Sequence, residues 1–395
     1  MVVGAGFAGL AAALELSAAG RSVMLVDAGE PSSNASASSA GQVGPLFLGG
    51  GRAPADAIRA LGRGRGEAFA RMIAGSGRWL FDLIRHHSIE CGARQGYVCA
   101  YRNAATLERA AERFEDWKRL GGRCEALARE DLAGHVGTSR YAGGFFLPEG
   151  GILNPVQLME GLLGLLEARG VEVRWRAPIV AIEGEADRFT VRSATGRIEA
   201  RAVIVATGLD RSSPMAALPR TAYGAACGVA ATAPLGDRGS GLLPQGGPVA
   251  DLDDKAVFAP AIDQEGRLVV SFLLEKEPPR LPASLIPAHR RLARTFPGAD
   301  LPQFETLSWG RIGITPDGLP RLFRNAAGIV SVSGCNGFGL TMGMSAAREA
   351  ARLVSGTPAA ELSLPVREPR PLPGARIAPA LMRSLAAPLA NRLGV

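Results

Sequence analysis

Lysine is nearly missing from this 395-residue chain: Lys118, Lys255 and Lys276 are its only lysines, and arginine carries the rest of the basic charge. The net charge of +7 and pI near 9.6 would suit a nucleic-acid binder, yet the arginines stand singly apart from Arg63-Gly64-Arg65, and no basic stripe interleaves with aromatics. The expectation is a solvated surface and no nucleic-acid partner. Histidine is equally scarce, and His86, His87, His135 and His289 show no metal-ligand spacing, so no metal is expected. Five cysteines (Cys91, Cys99, Cys124, Cys227, Cys335) form no CxxC pair. An odd count with no leader pattern points to reduced thiols in a cytosolic protein. The apolar opening lacks a basic flank and is interrupted by Glu15, so it is not read as a signal peptide, and no other apolar run reaches membrane-spanning length. No repeat at a fixed period is found.

What is present begins at the first residues, MVVGAGFAGLAAALELSAAGRSVMLVDAGE. The spacing predicts a strand end at Val2 and Val3 and a turn over Gly4, Gly6 and Gly9. A helix over Ala8–Ala19 closed by Gly20 follows, then a buried strand over Val23–Val26 ending at Asp27. Gly4 permits the tight turn, Gly6 admits a pyrophosphate to the backbone, and Gly9 lets helix lie on strand. The helix N-terminus offers unpaired N–H groups to phosphate, and Asp27 is placed for an adenosine ribose. Strand, turn, helix, strand and acid in this order predict a bound dinucleotide.

The polar run PSSNASASSAGQ follows as a loop that could lie along the phosphates. Helices are expected over Gly77–His87 and Thr106–Leu120, and again after Asn154 (N-cap) and Pro155 (N1). A meander over 179–182, 189–192 and 197–200 leads into the apolar run 202–206, a central parallel strand. From about 216 to 307 short strands such as Lys255–Pro260 and Arg267–Leu274 alternate with proline-rich loops, the texture of an inserted antiparallel domain. The chain then returns to a buried strand over Gly328–Val332, a second glycine turn at Gly334, Gly337 and Gly339, and a helix over Leu340–Leu353. The fold class expected is α/β: a discontinuous nucleotide domain (1–85, 148–215, 308–356), an inserted substrate domain (86–147, 216–307) and a tail (357–395). The tail sets Leu381, Leu385, Leu389 and Leu393 on one basic helical face; packing on its own protein is preferred to a membrane surface, and Pro388 weakens a long helix. Asp251, Asp253 and Asp254 are read as a solvated turn, with attraction of a cationic amine as the other reading.

These features together resemble FAD-dependent oxidoreductases of the D-amino-acid oxidase superfamily, with the γ-glutamylputrescine oxidoreductase branch most similar. The resemblance runs from Gly4 to about Gly356. It is carried by Gly4, Gly6, Gly9 and Asp27, by Ala40-Gly41-Gln42, by Gly150 to Pro155, and by Ala231 to Leu235. Gly266-Arg267-Leu268, Trp309-Gly310 with Thr315, Asp317 and Pro320, and Gly334 to Thr341 complete it. It implies a glutathione-reductase-type parallel sheet binding FAD without a covalent bond. The cofactor would be held by Gly4, Gly6, Phe7, Ala8 and Gly9, with Asp27 and Ala28 at the ribose. Ser39, Ala40, Gly41 and Gln42 would line the ring on one side, and Val180, Thr207 and Gly208 would lie beside the crevice. Gly334, Asn336, Gly337, Phe338, Gly339, Leu340 and Thr341 would present a helix N-terminus to the pyrimidine edge. Gln42, Trp309 and Arg311 are the residues implied near the chemistry, with filling of the core as the other reading of Trp309.

The implied reaction is oxidation of a primary or secondary amine, polyamine-like or γ-glutamyl-polyamine-like, by hydride transfer to flavin and hydrolysis of the imine. O2 or a quinone would take the electrons. The chain departs from the family pattern in three places. Ser38-Ser39 stand where the branch often has Arg-Asn, Ile312 stands where the amino-acid oxidases clamp a carboxylate with arginine, and no cysteine tether occurs near Trp309. Ile312 disfavours an α-amino acid, since Arg311 one residue away faces the other side of a strand. Alternatives left open are a non-catalytic FAD-binding subunit of a larger dehydrogenase, a D-amino-acid dehydrogenase or oxidase, and a flavin-dependent RNA-modifying enzyme. Cys335 is expected to be a small, unreactive residue.

Overall fold

A computed structural model describes residues 1–46, 54–194, 196–253 and 258–381. The helical face at Leu385, Leu389 and Leu393, and the residues Asp254 and Lys255, lie outside them. One seven-stranded sheet orders its strands Val366–Arg367, Arg321–Arg324, Val330–Ser333, Ile204–Val205, Val2–Val3, Met24–Val26 and Glu172–Arg174. All neighbours are parallel except Arg321–Arg324 against Val330–Ser333. The central strands are buried on both faces, as their continuous apolar sequence requires. Residues 366–367, placed in a tail by the sequence, pair with Leu322 and Phe323 at the edge of this sheet.

The opening helix, Phe7–Ala18, is alanine-rich, and so can lie flat between the sheet and the helix Met344–Val354. Arg348 Nε donates to Glu15 Oε2 at 2.9 Å across that pair. The chain's first and last principal helices are therefore neighbours. The meander forms a three-stranded antiparallel sheet, Ile179–Glu185, Arg188–Ser193 and Gly196–Ala200. The helix Pro155–Ala168 begins as its sequence predicts: Asn154 Oδ1 accepts from Val156 N and Gln157 N at 3.0 and 3.2 Å, with Pro155 at the first position.

Two further sheets stand over the parallel one. The first joins Val249–Asp251, Arg94–Tyr101, Gly143–Ile152 and Gln42–Val43, with Glu125–Leu127 paired to its third strand. The second joins Ala259–Ile262, Arg267–Leu273, Tyr223–Pro234 and Phe304–Ile314, all antiparallel. The helix Ala104–Arg119 packs on the first of these sheets through Ala110, Phe114 and Trp117. A core shared by the first sheet and the nucleotide layer is separate from a second core beneath the four-stranded sheet. No helix among the described residues is long and apolar enough to cross a membrane.

Candidate active site

Glycine is obligatory in the opening turn because backbone meets backbone there. A Cβ on Gly9 would lie 1.7 Å from Gly4 O, and one on Gly4, whose φ is +102°, would lie 2.7 Å from Ala206 O. Asp27 does more than end its strand: its Oδ2 accepts from Ala5 N at 2.6 Å and its Oδ1 from Gly29 N at 2.8 Å. The carboxylate thus braces the turn and keeps lone pairs for a ribose hydroxyl. Ser36 was not among the residues singled out in the sequence, yet its Oγ accepts from Phe7 N at 3.0 Å, at the start of the opening helix. The Ser36 hydroxyl thus occupies an N–H at a helix start, the kind of position that suits an anion. The serine-rich run was the available signal; which serine would reach the helix was not legible without the fold. Asn34 Oδ1 caps the same loop, accepting from Ser36 N and Ala37 N, while Asn34 Nδ2 is buried without a partner among the described residues. An orphaned donor beside a phosphate-type turn fits a dinucleotide.

The second glycine turn is built differently. Gly334 has φ +69°, Asn336 +57° and Gly337 +86°. Asn336 is fully buried and its side chain is committed to protein: Oδ1 accepts from Thr315 N at 2.8 Å and Oγ1 at 3.1 Å, and Nδ2 donates to Gly334 O at 2.8 Å. It therefore fixes the turn against the end of the strand Phe304–Ile314. A Cβ on Gly339 would lie 3.3 Å from the Phe7 ring, so the two glycine turns meet. Past it the helix opens with a wide turn over Gly339–Gly343 before Met344–Val354. A wide turn of this kind inside a helix is frequent at functional sites.

Both turns open on one cavity of about 690 Å³. Of the residues placed at the cofactor, Gly6, Phe7, Ala8, Gly208 and the segment Ser39 to Gln42 line it. So do Gly334 and the run from Asn336 to Leu340. Gly4, Gly9, Asp27 and Ala28 are not in its lining. Three others are held elsewhere. Val180 is 63% exposed, because alternation in its strand buries Ile179 instead. Thr207 Oγ1 hydrogen-bonds Ser213 Oγ at 2.9 Å, and Thr341 Oγ1 donates to Gly44 O at 2.9 Å while buried.

Alternation also sorts the residues near the chemistry. Ser308 Oγ donates to Ser38 O at 3.2 Å, Gly310 faces Ala35, and Ile312 Cδ1 lies 3.5 Å from where Gly337 would carry a Cβ. The even residues of this strand face the nucleotide domain. Trp309, on the other face, packs against the core of the four-stranded sheet and does not line the cavity. Arg311 reaches the cavity but is ion-paired with Glu277, whose side chain is 7% exposed. Gln42 lines the cavity, with its amide nitrogen donated to Ala259 O at 2.7 Å, tying the loop to the inserted sheet. Cys335 lines the cavity and burial pushes its thiol up from the usual cysteine range, which keeps it protonated.

The aromatic wall of the cavity was not anticipated from sequence. Tyr97 and Tyr101 alternate with Val98 and Ala100 along the strand Arg94–Tyr101; Phe114 and Trp117 come from the helix Ala104–Arg119, and all four line the cavity. Burial pushes the phenols of Tyr97 and Tyr101 up, so both remain neutral. Asp251 is 6% exposed and so does not sit in a solvated turn. It pairs in register with Ala100, on the face away from the tyrosines. There it ion-pairs with Arg102 at 3.0 Å and accepts from Tyr141 Oη at 3.3 Å, and burial raises its carboxyl above the usual range despite Arg102. No group of three or more potential metal ligands occurs among the described residues.

Comparison with known proteins agrees with this geometry. The family "FAD dependent oxidoreductase" (DAO) matches residues 1–353. The γ-glutamylputrescine oxidoreductase of Escherichia coli K12 is 28% identical over 207 residues, 52% of this chain and 47% of the relative. The D-amino acid dehydrogenase of Paramagnetospirillum magneticum is 28% identical over 283 residues, 67% of this chain and 64% of the relative. The chain thus spans about half the length of the first of these curated relatives. Among solved structures, glycine oxidase from Geobacillus kaustophilus superposes with a TM-score of 0.71 at 18% identity, covering 90% of this chain and 93% of that one. Iminodiacetate oxidase from Chelativorans sp. BNC1 gives 0.71 at 19% identity, covering 93% and 99%. At such identities the likeness concerns the fold.

Proposed function

The chain belongs to the DAO family of FAD-dependent oxidoreductases, and from that premise we propose that it oxidises a C–N bond of a primary or secondary amine. Bound FAD supplies the two-electron acceptor for the α-hydrogen, taken as hydride while the nitrogen loses a proton, and water converts the resulting imine to a carbonyl compound and an amine or ammonia. The observation that carries the amine reading is Ile312. An apolar side chain, and no guanidinium, faces the second glycine turn, while Arg311 is occupied by Glu277. A substrate lacking a carboxylate loses nothing by that exchange.

The chain's own residues hold and shield. Gly6, Phe7, Ala8 and the Ser36 hydroxyl, all in the cavity lining, would meet a pyrophosphate, and Asp27 would offer the acceptor for a ribose. Gly337 and Gly339 keep side chains away from the place where the second turn would approach a ring. Gln42 and the aromatic wall close the remaining sides and exclude water from the transfer. Trp309 supports the inserted sheet from its far face and has no contact role here.

A polyamine or γ-glutamyl-polyamine as the amine rests only on the name of one relative. D-Amino-acid oxidation is the second reading, favoured by the D-amino acid dehydrogenase among the relatives and by the presence of a guanidinium, that of Arg113, in the cavity lining. The test is anaerobic bleaching of the flavin in the purified holoprotein against amines, polyamines and D-amino acids. Bleaching by amines in preference to D-amino acids is expected. Bleaching by D-amino acids alone, or by no amine, would refute the reading. Reoxidation of the bleached flavin by air or only by a quinone then separates oxidase from dehydrogenase.

A further inference from the structure

The aromatic wall of the cavity says more about the amine than its nitrogen does. Tyr97, Tyr101, Phe114 and Trp117 are each less than a tenth exposed, yet each lines the cavity. Their position relative to the second turn is set by Gly44: a Cβ there would be 3.4 Å both from Phe338 Cε1 and from Tyr97 Cε2. The aromatic wall thus begins beside the segment that meets the opening turn. It is carried by a strand and a helix outside the nucleotide sheet, where the part of a substrate beyond its reacting carbon would lie.

Among the described residues lining the cavity, three carry charge: Arg113, Arg311 and Asp251. The two arginines are cations. Asp251 is the one anion, and its carboxylate is turned to the opposite face, to Tyr141 and Arg102. A second ammonium group entering this space would lose its water and meet carboxylates that are already engaged, Glu277 by Arg311 and Asp251 by Arg102. Aromatic faces attract cations, but the attraction is modest beside the cost of desolvation. A methyl group in the same place gains from burial.

We propose that the substrate is a monoamine with an apolar alkyl or aryl substituent, and that Tyr97, Tyr101, Phe114 and Trp117 select it over diamines and polyamines. The proposal rests on the amine reading above and narrows it. The two can fail separately. The matched pair is hexylamine and 1,5-diaminopentane, which have the same length and differ in a terminal methyl against an ammonium. Their binding to the holoprotein is read from the flavin difference spectrum, and their reactivity from anaerobic reduction.

Hexylamine is expected to show at least about a tenfold higher reduction rate over dissociation constant, with most of the difference in binding. Trp117→Ala should cut that preference several-fold while FAD content stays at one per chain; Phe114→Leu serves if the first variant does not fold. Equal or better use of the diamine would overturn the proposal and leave the amine reading intact. An unchanged preference in the variants would overturn the role of the wall. Bleaching by neither amine, nor by any other, would remove the amine reading and this inference with it.

Discussion

The two glycine turns meet at Phe7 and Gly339 but use glycine for different reasons. In the opening turn the constraint is space: carbonyl oxygens occupy the points where side chains would begin. In the second turn it is mainly conformation: three of four consecutive residues from Gly334 have positive φ, and one buried asparagine holds the loop in place. A motif defined by space is readable in a sequence, because only one residue type and spacing satisfy it. A turn defined by conformation and a distant hydrogen bond is only half readable. Its glycines are visible, but the partnership of Asn336 with Thr315 is not.

Substitutions should separate the two. Gly9→Ala should have the largest effect, about 3 kcal/mol or more, since neither clashing atom is a movable side chain. Loss of soluble, flavin-loaded protein would register it; Gly20→Ala, with open space around it but φ +70°, should cost about 1 kcal/mol and keep its FAD. Asn336→Ala comes next. It strips Thr315 N and Gly334 O of buried partners, for about 2–3 kcal/mol, and should weaken FAD binding at least about tenfold, measured by flavin fluorescence on dilution.

A smaller effect than at Gly9 or Asn336 is expected at Asp317, which ion-pairs with Arg321 at 2.8 Å. Burial alone would raise this carboxyl, but the Arg321 hydrogen bond and charge outweigh it and hold the group below the usual carboxylate range. Its stabilising contribution is therefore present above about pH 4 and is lost as pH falls through the lower folded value. Asp317→Asn should cost about 1 kcal/mol near neutral pH, with the variant and parent denaturation midpoints converging in acid.

Much of the fold was legible because its parts are local. Asn154-Pro155 starts a helix, the run 202–206 contains the central strand Ile204–Val205, and the opening glycines sit where backbone meets backbone. The cavity lining was legible mainly in its glycine-rich segments. Val180, Thr207 and Thr341 lie within one or two residues of lining positions or buried strand residues, and alternation or a local hydrogen bond turned each aside. For Trp309, left open between pocket and core, the phase of its strand places it against the core of the four-stranded sheet. Ser36, Tyr97 and Trp117 carry no pattern of their own. Only long-range pairing brings them to the cavity.

The claim that both glycine turns serve a single cofactor is tested most directly by acid precipitation of the purified holoprotein and quantitation of flavin in supernatant and pellet. One FAD per chain, all of it in the supernatant, is the predicted result. Two nucleotides per chain, none, or flavin retained in the pellet would contradict the account.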